Sequence, residues 1–466
     1  MQPISFLKGS CNDMAELKDL ANRPYGSGMI YLLIVYSLLI IIVYFLNAKK
    51  ALKLPQVYGI EIFIAIFVSG FVLRLVLAVS IEGYPNDIAT FKAWAIAAAD
   101  NFSGLYTSGM FLDYPPLYMY VLYVIGKLAS IFSSSADFTL LIKLPSIFAD
   151  AATAYLIYKL TEREFKAGYG YLTASLFLFN PAIILNSSVW GMVDSFFMLL
   201  VIAALLLVVN DKVEYSVIFF AASILMKPQG IFFLPVLIFE IIKKRGVKRL
   251  TLTFLFGFLT TLIILLPFFS LSDPLWIFKL YMKTASGYSY ASLNAYNLFS
   301  LLGANLKLDS TVFFIFSYGT WGLILDFLLV VFTGWLYFRY KNAAVPILAA
   351  LLLNAGAFVL STRMHERYMY PVIVLSLLLF IYIKDRRIPL LFTALTIIVT
   401  VNTNDVLSRV LNTENPHIPT DDPVLFWLSL ANVILFIGMS AFAVKLSKNE
   451  VSINCGRQKL NKKDLR

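Results

Sequence analysis

Five short segments of this sequence combine ionisable residues with proline, tryptophan or histidine at the edges of long apolar runs. They read YPNDI from Tyr84, LDYPPLY from Leu112, SSVWGMVDS from Ser187, KPQG from Lys227 and TRMHERY from Thr362. Ionisable groups in or near membrane-depth segments are expensive to keep there, so they usually mark function. Arginine pairs with phosphate through bidentate hydrogen bonds, and a carboxylate can accept a proton. These residue types indicate a site that handles a phosphate-bearing ligand.

Each segment also has a plainer interpretation. Asp87 could simply cap a helix that begins near residue 88, and Asp113 could stand in a turn. Asp194 suits the positive N-terminus of a membrane helix. Lys227 could extend to the membrane surface beside a simple turn, and the segment 362–368 could be a solvated loop. Convergence of Asp87, Asp113 and His365 at one face of the protein would favour a site.

The elements that must position these segments are membrane-spanning helices. The chain has 466 residues, of which 60% are hydrophobic and only 14% are charged, whereas soluble domains are nearer one quarter charged. Apolar runs recur along the chain, and most are long enough to cross a bilayer core as a helix. Because lipid offers no partner to an unpaired backbone amide, we predict an all-α polytopic protein with about 11–13 transmembrane helices.

The basic residues indicate the orientation of these helices. Lys and Arg cluster in alternate connections, for example at 49–53, 243–249 and 384–387, and in the C-terminal tail. The positive-inside rule places these connections and the C-terminus in the cytoplasm. The long connections 81–138, 271–311 and 405–423 then face outside, and 117–134 lies along the membrane. The thirteen candidate spans are 29–47, 59–80, 139–160, 170–188, 192–210, 213–227, 229–242, 249–270, 312–338, 343–360, 368–384, 388–404 and 424–445.

The ordered set of motifs resembles the GT-C fold of membrane glycosyltransferases that use polyprenyl-phosphate sugars. The likeness is to bacterial relatives of the GPI mannosyltransferase II (PIG-V) family. It rests on PNDIATFKAW, LDYPPLYMY, KLPSIFAD, WGMVDSF, MKPQG, SLNAYNLF and RMHERYMYP. The resemblance covers 59–384 and implies a long first outer loop containing juxtamembrane helices. We predict one integral membrane domain over 1–466, with an N-terminal tail and extra helix in 1–58, a GT-C core in 59–384, and C-terminal helices with a basic tail in 385–466.

The resemblance implies an enzyme, a hexosyltransferase that moves a hexose, with mannose favoured, from a polyprenyl-phosphate carrier to an acceptor hydroxyl at the outer face of the cell membrane. The reaction is expected to be inverting, with Asp87 as general base and Asp113 as the second choice. The expected donor-phosphate-binding residues are Arg363, His365, Arg367 and Lys227. The expected sugar- or acceptor-binding residues are Asp194, Trp190, Gln229, Glu366, Asn294 and Tyr296.

Two other classes of protein fit part of the pattern. A secondary transporter or lipid-linked sugar flippase would use the same broken helix and membrane-depth charges, although no internal repeat is visible. A purely structural membrane subunit leaves the charged clusters unexplained. No cofactor or metal site is expected, because the chain has two cysteines, two histidines and no DxD motif. The expected partners are the lipid-linked sugar, a glycan, lipid or protein acceptor, and membrane lipids, but no nucleic acid.

Overall fold

The structure is a computed structural model, and the part of it that can be described is almost entirely helical. It covers residues 25–48, 58–131, 134–165, 168–244, 246–269, 273–413 and 415–463. The predicted N-terminal tail and the connection that holds Lys49, Lys50 and Lys53 lie outside these residues. Within them, seven helices are long and apolar enough to cross a membrane, one bent pair adds a possible eighth, and five shorter helices are apolar. The predicted all-α polytopic architecture is confirmed.

The first half of the bundle contains two breaks. Asn180 accepts hydrogen bonds from the amides of Ala182 and Ile183, and Pro181 starts a new helix, so the predicted span 170–188 is bent by 47°. A 3-10 turn, Pro228–Phe233, interrupts the chain after Lys227. The helices are α1 (Tyr25–Ala48), α2 (Gly59–Ser80), α3 (Pro85–Asp100), α4 (Pro116–Ala129), α5 (Ser135–Glu164), α6 (Tyr169–Leu178), α7 (Pro181–Ile184, continued by a π turn Leu185–Trp190), α8 (Asp194–Val209), α9 (Val213–Met226) and α10 (Leu234–Lys244).

The second half adds eight helices and one small hairpin. The hairpin pairs Val312 with Ser317 and Phe313 with Phe316 in antiparallel register. The predicted outer connection 405–423 is wrong at its start, because α17 continues as a helix to Thr413. The elements are α11 (Val247–Leu265), α12 (Trp276–Gly287), α13 (Leu298–Leu301), β1 (Val312–Phe313), β2 (Phe316–Ser317), α14 (Tyr318–Arg339), α15 (Val345–Leu360), α16 (Tyr370–Ile383), α17 (Arg387–Thr413) and α18 (Pro423–Lys463).

Helix length differs between the centre and the periphery of the bundle. The central helices α8 and α15 have 16 residues, α9 and α16 have 14, and the peripheral α2 and α14 have 22. At 1.5 Å per residue, the central helices are therefore about 10 Å shorter than the peripheral ones. Every residue from Val345 to Val359 is buried, which is typical of a helix packed on all sides.

The short central helices end at a recess at one end of the bundle. We call this end the loop face; it comprises the segments 81–84, 101–115, 191–193, 227–233, 266–269, 273–317, 361–369 and 415–422. The opposite end, with 384–386 and the C-terminal part of α18, is the basic end. At the loop face, the residues at the ends of α8, α9, α15 and α16 are buried: Asp194, Met226, Val359 and Tyr370 are 3%, 0%, 0% and 1% exposed. The charged motifs of the sequence lie in this recess.

Candidate functional site

The first part of the site is the start of α3, which is held against Trp190. Gly83 has a φ of 106°, and a Cβ there would lie 2.4 Å from the Trp190 carbonyl oxygen. The ring of Tyr84 stacks on Trp190 with centroids 4.8 Å apart. The indole Nε1 of Trp190 donates a 2.7 Å hydrogen bond to Asp87. The side chain of Asp87 therefore faces Trp190 in the recess.

A buried ion pair forms the floor of the recess. Asp194 and Lys227 are 3% and 1% exposed, and the Lys227 ammonium donates a hydrogen bond to the carboxylate of Asp194. Asn186 donates to the other oxygen of that carboxylate at 3.0 Å. The Lys227 ammonium also lies over the ring of Tyr368, 5.4 Å from its centroid. A buried charge needs such partners, because its desolvation cost is otherwise uncompensated.

The loop between α15 and α16 brings a second set of charges to the same place. Arg367 donates a 2.6 Å hydrogen bond to Glu366, and its Nη2 lies 3.9 Å from the carboxylate of Asp87. Its guanidinium lies over Trp190, 5.5 Å from a ring centroid. Among the described residues, its buried Nε has no hydrogen-bond partner. Arg367 therefore links this loop to the start of α3.

Burial shifts the proton affinities of the loop-face groups. It raises the pKa of Asp113 and of Glu366. It lowers the pKa of His365 well below its usual value, and the nearby cations Arg367 and Lys227 lower it further. This lowered pKa disfavours the charged form of His365.

A cavity of about 510 Å³ lies beside this ion cluster. Arg363 lines this cavity, and its Nε lies 2.6 Å from the carboxylate of Asp309. Asp113 accepts a 3.1 Å hydrogen bond from the hydroxyl of Tyr288. Gln229 also lines the cavity, and its buried Oε1 has no partner among the described residues. The remaining polar or aromatic wall residues include Tyr114, Thr284, Ser310, Thr320, Asp326, Ser361 and Tyr368.

The cavity extends from these polar groups to the apolar flank of the bundle. Ile231 and Leu323 line it and are 53% and 72% exposed. Leu323 belongs to α14, a helix that passes the criteria for a membrane span. A ligand in this cavity can therefore contact charged groups with one end and the lipid-facing surface with the other.

The structure brings most of the predicted site residues together, but not all of them. Asp113, Gln229 and Arg363 line the cavity. Beside it lies the ion cluster, in which the charged side chains are Asp87, Asp194, Lys227, Glu366 and Arg367. Trp190 and His365 contact this cluster.

Asn294 and Tyr296 lie outside the cavity and attach its loops to the C-terminal helices. The side chain of Asn294 donates to the carbonyl of Pro416 at 3.0 Å and accepts from the amide of Ile418. The hydroxyl of Tyr296 donates to Asp405, and its amide donates to Asn402 in α17. These contacts hold the 290–297 segment in place beside the loop that carries Arg363.

Sequence reasoning missed two acids of the cavity wall. Asp309 pairs with Arg363, but it lies in a polar loop where nothing distinguishes it from a surface residue. Asp326 lies within an apolar span, and one of its carboxylate oxygens accepts a hydrogen bond from the hydroxyl of Ser361. Its position inside an apolar run was the available signal. Arg74, another buried cation, pairs instead with Asp150 at 2.9 Å.

Comparison with known protein families gives one match. The profile of the family described as GPI transamidase subunit PIG-U matches residues 90–287. This range includes α4 to α12 and so contains Asp113, Asp194 and Lys227. The matched family is a GT-C-like multipass membrane family, so the match agrees with the GT-C resemblance of the motifs. It does not support the finer resemblance to the PIG-V mannosyltransferases. Comparison with curated proteins gives no match.

The match overturns the predicted activity. A GPI transamidase subunit belongs to a protein-processing complex and does not transfer mannose. The prediction of a hexosyltransferase is therefore wrong, and nothing supports the alternative of a transporter or flippase. The general-base roles predicted for Asp87 and Asp113 were part of the hexosyl-transfer reaction, so they are not carried further. In the structure Asp87 contacts Trp190 and faces Arg367, and Asp113 contacts Tyr288.

Proposed function

We propose that this protein is a membrane subunit that binds the headgroup of a phosphate-linked glycolipid in the loop-face cavity and holds it for a partner protein. The observation that carries the proposal is the composition of the cavity. Charged groups line its inner part, and the exposed apolar residues Ile231 and Leu323 line its outer part. A lipid has this same division between a polar headgroup and an apolar chain.

The charges of the cavity suit a headgroup that combines phosphate with hydroxyl groups. Arg363 is bonded to Asp309 and to the carbonyl of Ala285, but its side chain is 38% exposed, so its outer face can add a phosphate oxygen to these partners. Asp113, Asp326 and Gln229 provide oxygens that can accept hydrogen bonds from sugar hydroxyls. The ion cluster around Lys227 and Arg367 is internally paired, so we assign it the role of a rigid wall behind the headgroup.

The matched family supports a role as a subunit. Its description names a component of GPI transamidase, and we extend to this chain the idea of a membrane protein that works within a complex. The partner is then the protein that acts on the bound lipid. No chemical step is assigned to the residues of this chain.

We further propose that the loop face points outside the cytoplasm and that the C-terminus is cytoplasmic, in the cell membrane. The basis is the charge bias, because Lys and Arg concentrate at the basic end. Cysteines placed at Ser108 and at Lys448, in a chain without its two native cysteines, test this. In intact cells an impermeant maleimide should label the first and not the second, and the reverse pattern would invert the orientation.

Lipid binding to the purified protein tests the main proposal. The probes are a polyprenyl-phosphate mannose and the same polyprenyl phosphate without the sugar, with binding read by native mass spectrometry. We expect saturable binding of both, with the sugar-bearing lipid bound more tightly. Leu323→Trp should fill the lipid end of the cavity and weaken binding about tenfold, which corresponds to about 1.4 kcal/mol.

A matched control lies one helical turn further along α14. Phe327 is 67% exposed and does not line the cavity, so Phe327→Trp should leave binding unchanged. Arg363→Gln should weaken binding of both lipids, because both carry the phosphate. Equal binding by wild type and Leu323→Trp, or no saturable binding of either lipid, would refute the proposal.

A further inference from the structure

A second cavity lies at the basic end of the bundle, between α17 and α18, far from the loop face. It has a volume of about 590 Å³. Its walls are apolar and include Leu391, Ile434, Met439 and Phe442. Two cationic residues, Arg387 and Lys445, line the same groove. We call it the basic groove.

The charges at the mouth of the basic groove are unbalanced among the side chains that the structure describes. Arg387 and Lys445 line it and are exposed, and their sequence neighbours Arg386 and Lys448 are exposed too. The neighbouring carboxylate of Asp385 is bound on both oxygens by Arg387, at 2.9 and 2.6 Å. One carboxylate cannot neutralise both lining cations, so the mouth carries an excess of positive charge.

The guanidinium of Arg387 is held in position for an anion. Its Cζ lies 4.5 Å from the ring centroid of Phe442 on the neighbouring helix, and its side chain remains 52% exposed. The aromatic contact and the bond to Asp385 fix the guanidinium at the end of the apolar groove. An anion there meets an oriented donor without first ordering a flexible side chain.

Gly438 opens the groove on the α18 side. A Cβ at this glycine would meet no atom within 4 Å, so the space beside it belongs to the groove and not to a helix contact. Both helices are candidate membrane spans. The surroundings of the groove are therefore lipid chains, and its polar end lies at the level of headgroups.

We propose that the basic groove binds an anionic phospholipid of the leaflet at the basic end. The acyl chain would lie against Leu391 and Phe442, and the phosphate would meet Arg387 and Lys445. A long apolar groove that ends in cations matches both the acyl chain and the phosphate of this lipid. A soluble anion would leave the apolar wall without a contact, and a zwitterionic lipid carries no net charge to pair with the cations. The proposal is independent of the function proposed for the loop-face cavity.

The test is the affinity of the purified full-length protein for phosphatidylglycerol, with phosphatidylcholine of the same chains as the reference. Native mass spectrometry in a nonionic detergent gives both dissociation constants. We expect phosphatidylglycerol to bind at least tenfold more tightly. Gly438→Leu should fill the groove and abolish this preference, whereas Gly28→Leu should keep it, because Gly28 is also open to its surroundings in a membrane helix.

Charge variants separate headgroup recognition from simple filling of space. Lys445→Gln should weaken phosphatidylglycerol binding about fivefold, the effect of one cation near a membrane surface, and leave phosphatidylcholine unchanged. Lys248→Gln, an exposed cation elsewhere at the basic end, is the control and should change neither. The proposal is overturned if phosphatidylcholine binds as tightly as phosphatidylglycerol, or if Gly438→Leu binds phosphatidylglycerol like the wild type.

Discussion

The loop-face cavity and the basic groove are both lined by charged residues, but they use charge in opposite ways. At the loop face, Lys227 is bonded to Asp194 and Arg367 to Glu366, and all four residues are buried or nearly so. At the basic groove, Lys445 is exposed, and Arg387 is bonded to Asp385 at the surface with its side chain still 52% exposed. Paired buried charges build a rigid wall, whereas exposed cations remain available to an anion.

The largest expected effect in this comparison concerns a single lysine at each region. Lys227→Met leaves the carboxylate of Asp194 buried without its cation, so we expect a loss of about 3–5 kcal/mol of unfolding free energy. Lys445→Met removes an exposed charge and should cost less than ~0.5 kcal/mol. Unfolding in detergent, followed by tryptophan fluorescence, measures both.

The double variant Lys227→Met with Asp194→Leu supplies the control for the buried pair. It removes both charges and should recover much of the lost stability, since an apolar pair replaces an ionic one at little cost. A Lys227→Met variant as stable as the wild type would show that Asp194 does not depend on the ion pair and would break the contrast with Lys445.

The next effect concerns two glycines, Gly126 in the contact of α4 with α3 beside the loop face and Gly438 in the basic groove. A Cβ at Gly126 would lie 2.1 Å from the carbonyl oxygen of Ala95, so Gly126→Leu must push α4 away from α3. We expect a loss of about 1–3 kcal/mol. Gly438→Leu enters open space and should cost nothing measurable. Similar unfolding midpoints for the two variants would contradict the close packing of α3 on α4.

The smallest expected effect is the pH dependence of one acid at each region. Burial raises the pKa of Asp113, whereas the hydrogen bonds of Arg387 lower the pKa of Asp385. A raised pKa means that ionisation of Asp113 costs stability as the pH rises, so Asp113→Asn should be slightly more stable than the wild type at pH 7. A lowered pKa means the opposite, so Asp385→Asn should be slightly less stable at pH 7.

Both differences should shrink as the pH falls, because the wild-type carboxyl groups then become protonated. The difference for Asp113 should vanish near the ordinary carboxyl pKa of about 4, and the difference for Asp385 should vanish at still lower pH. Thermal unfolding of the two variants from pH 7 to about pH 2 measures both trends, because the difference for Asp385 declines only below the ordinary carboxyl pKa. If both variants were more stable than the wild type at pH 7, or both less stable, the two acids would not differ in the way predicted.

Much of the fold was predictable because membrane-spanning helices depend mainly on local sequence. An apolar run must form a helix in lipid whatever its neighbours do, and this is why the all-α polytopic architecture follows from composition. The break at Pro228 was predicted from the sequence, whereas the predicted span 170–188 ran through Pro181 and missed the bend there. The extension of α17 to Thr413 was not, because its last turns are polar and pack on protein rather than on lipid.

The candidate site was also predictable only in part. The sequence by itself determined which residues are unusual, because an ionisable group such as Lys227 or Arg367 beside an apolar run is costly wherever it lies. It could not determine their partners. Arg363 pairs with Asp309, 54 positions away, and Asp194 pairs with Lys227 across two helices.

Only the tertiary structure decided which charges are neutralised and which remain available. Asn294 and Tyr296 resembled the other motif residues in sequence, yet packing directs them to α17 and the loop before α18. The remaining charges lie where the loop-face ends of α8, α9, α15 and α16 are buried inside the bundle. Charge is a property of single residues, whereas pairing and depth depend on how helices from distant parts of the chain are arranged.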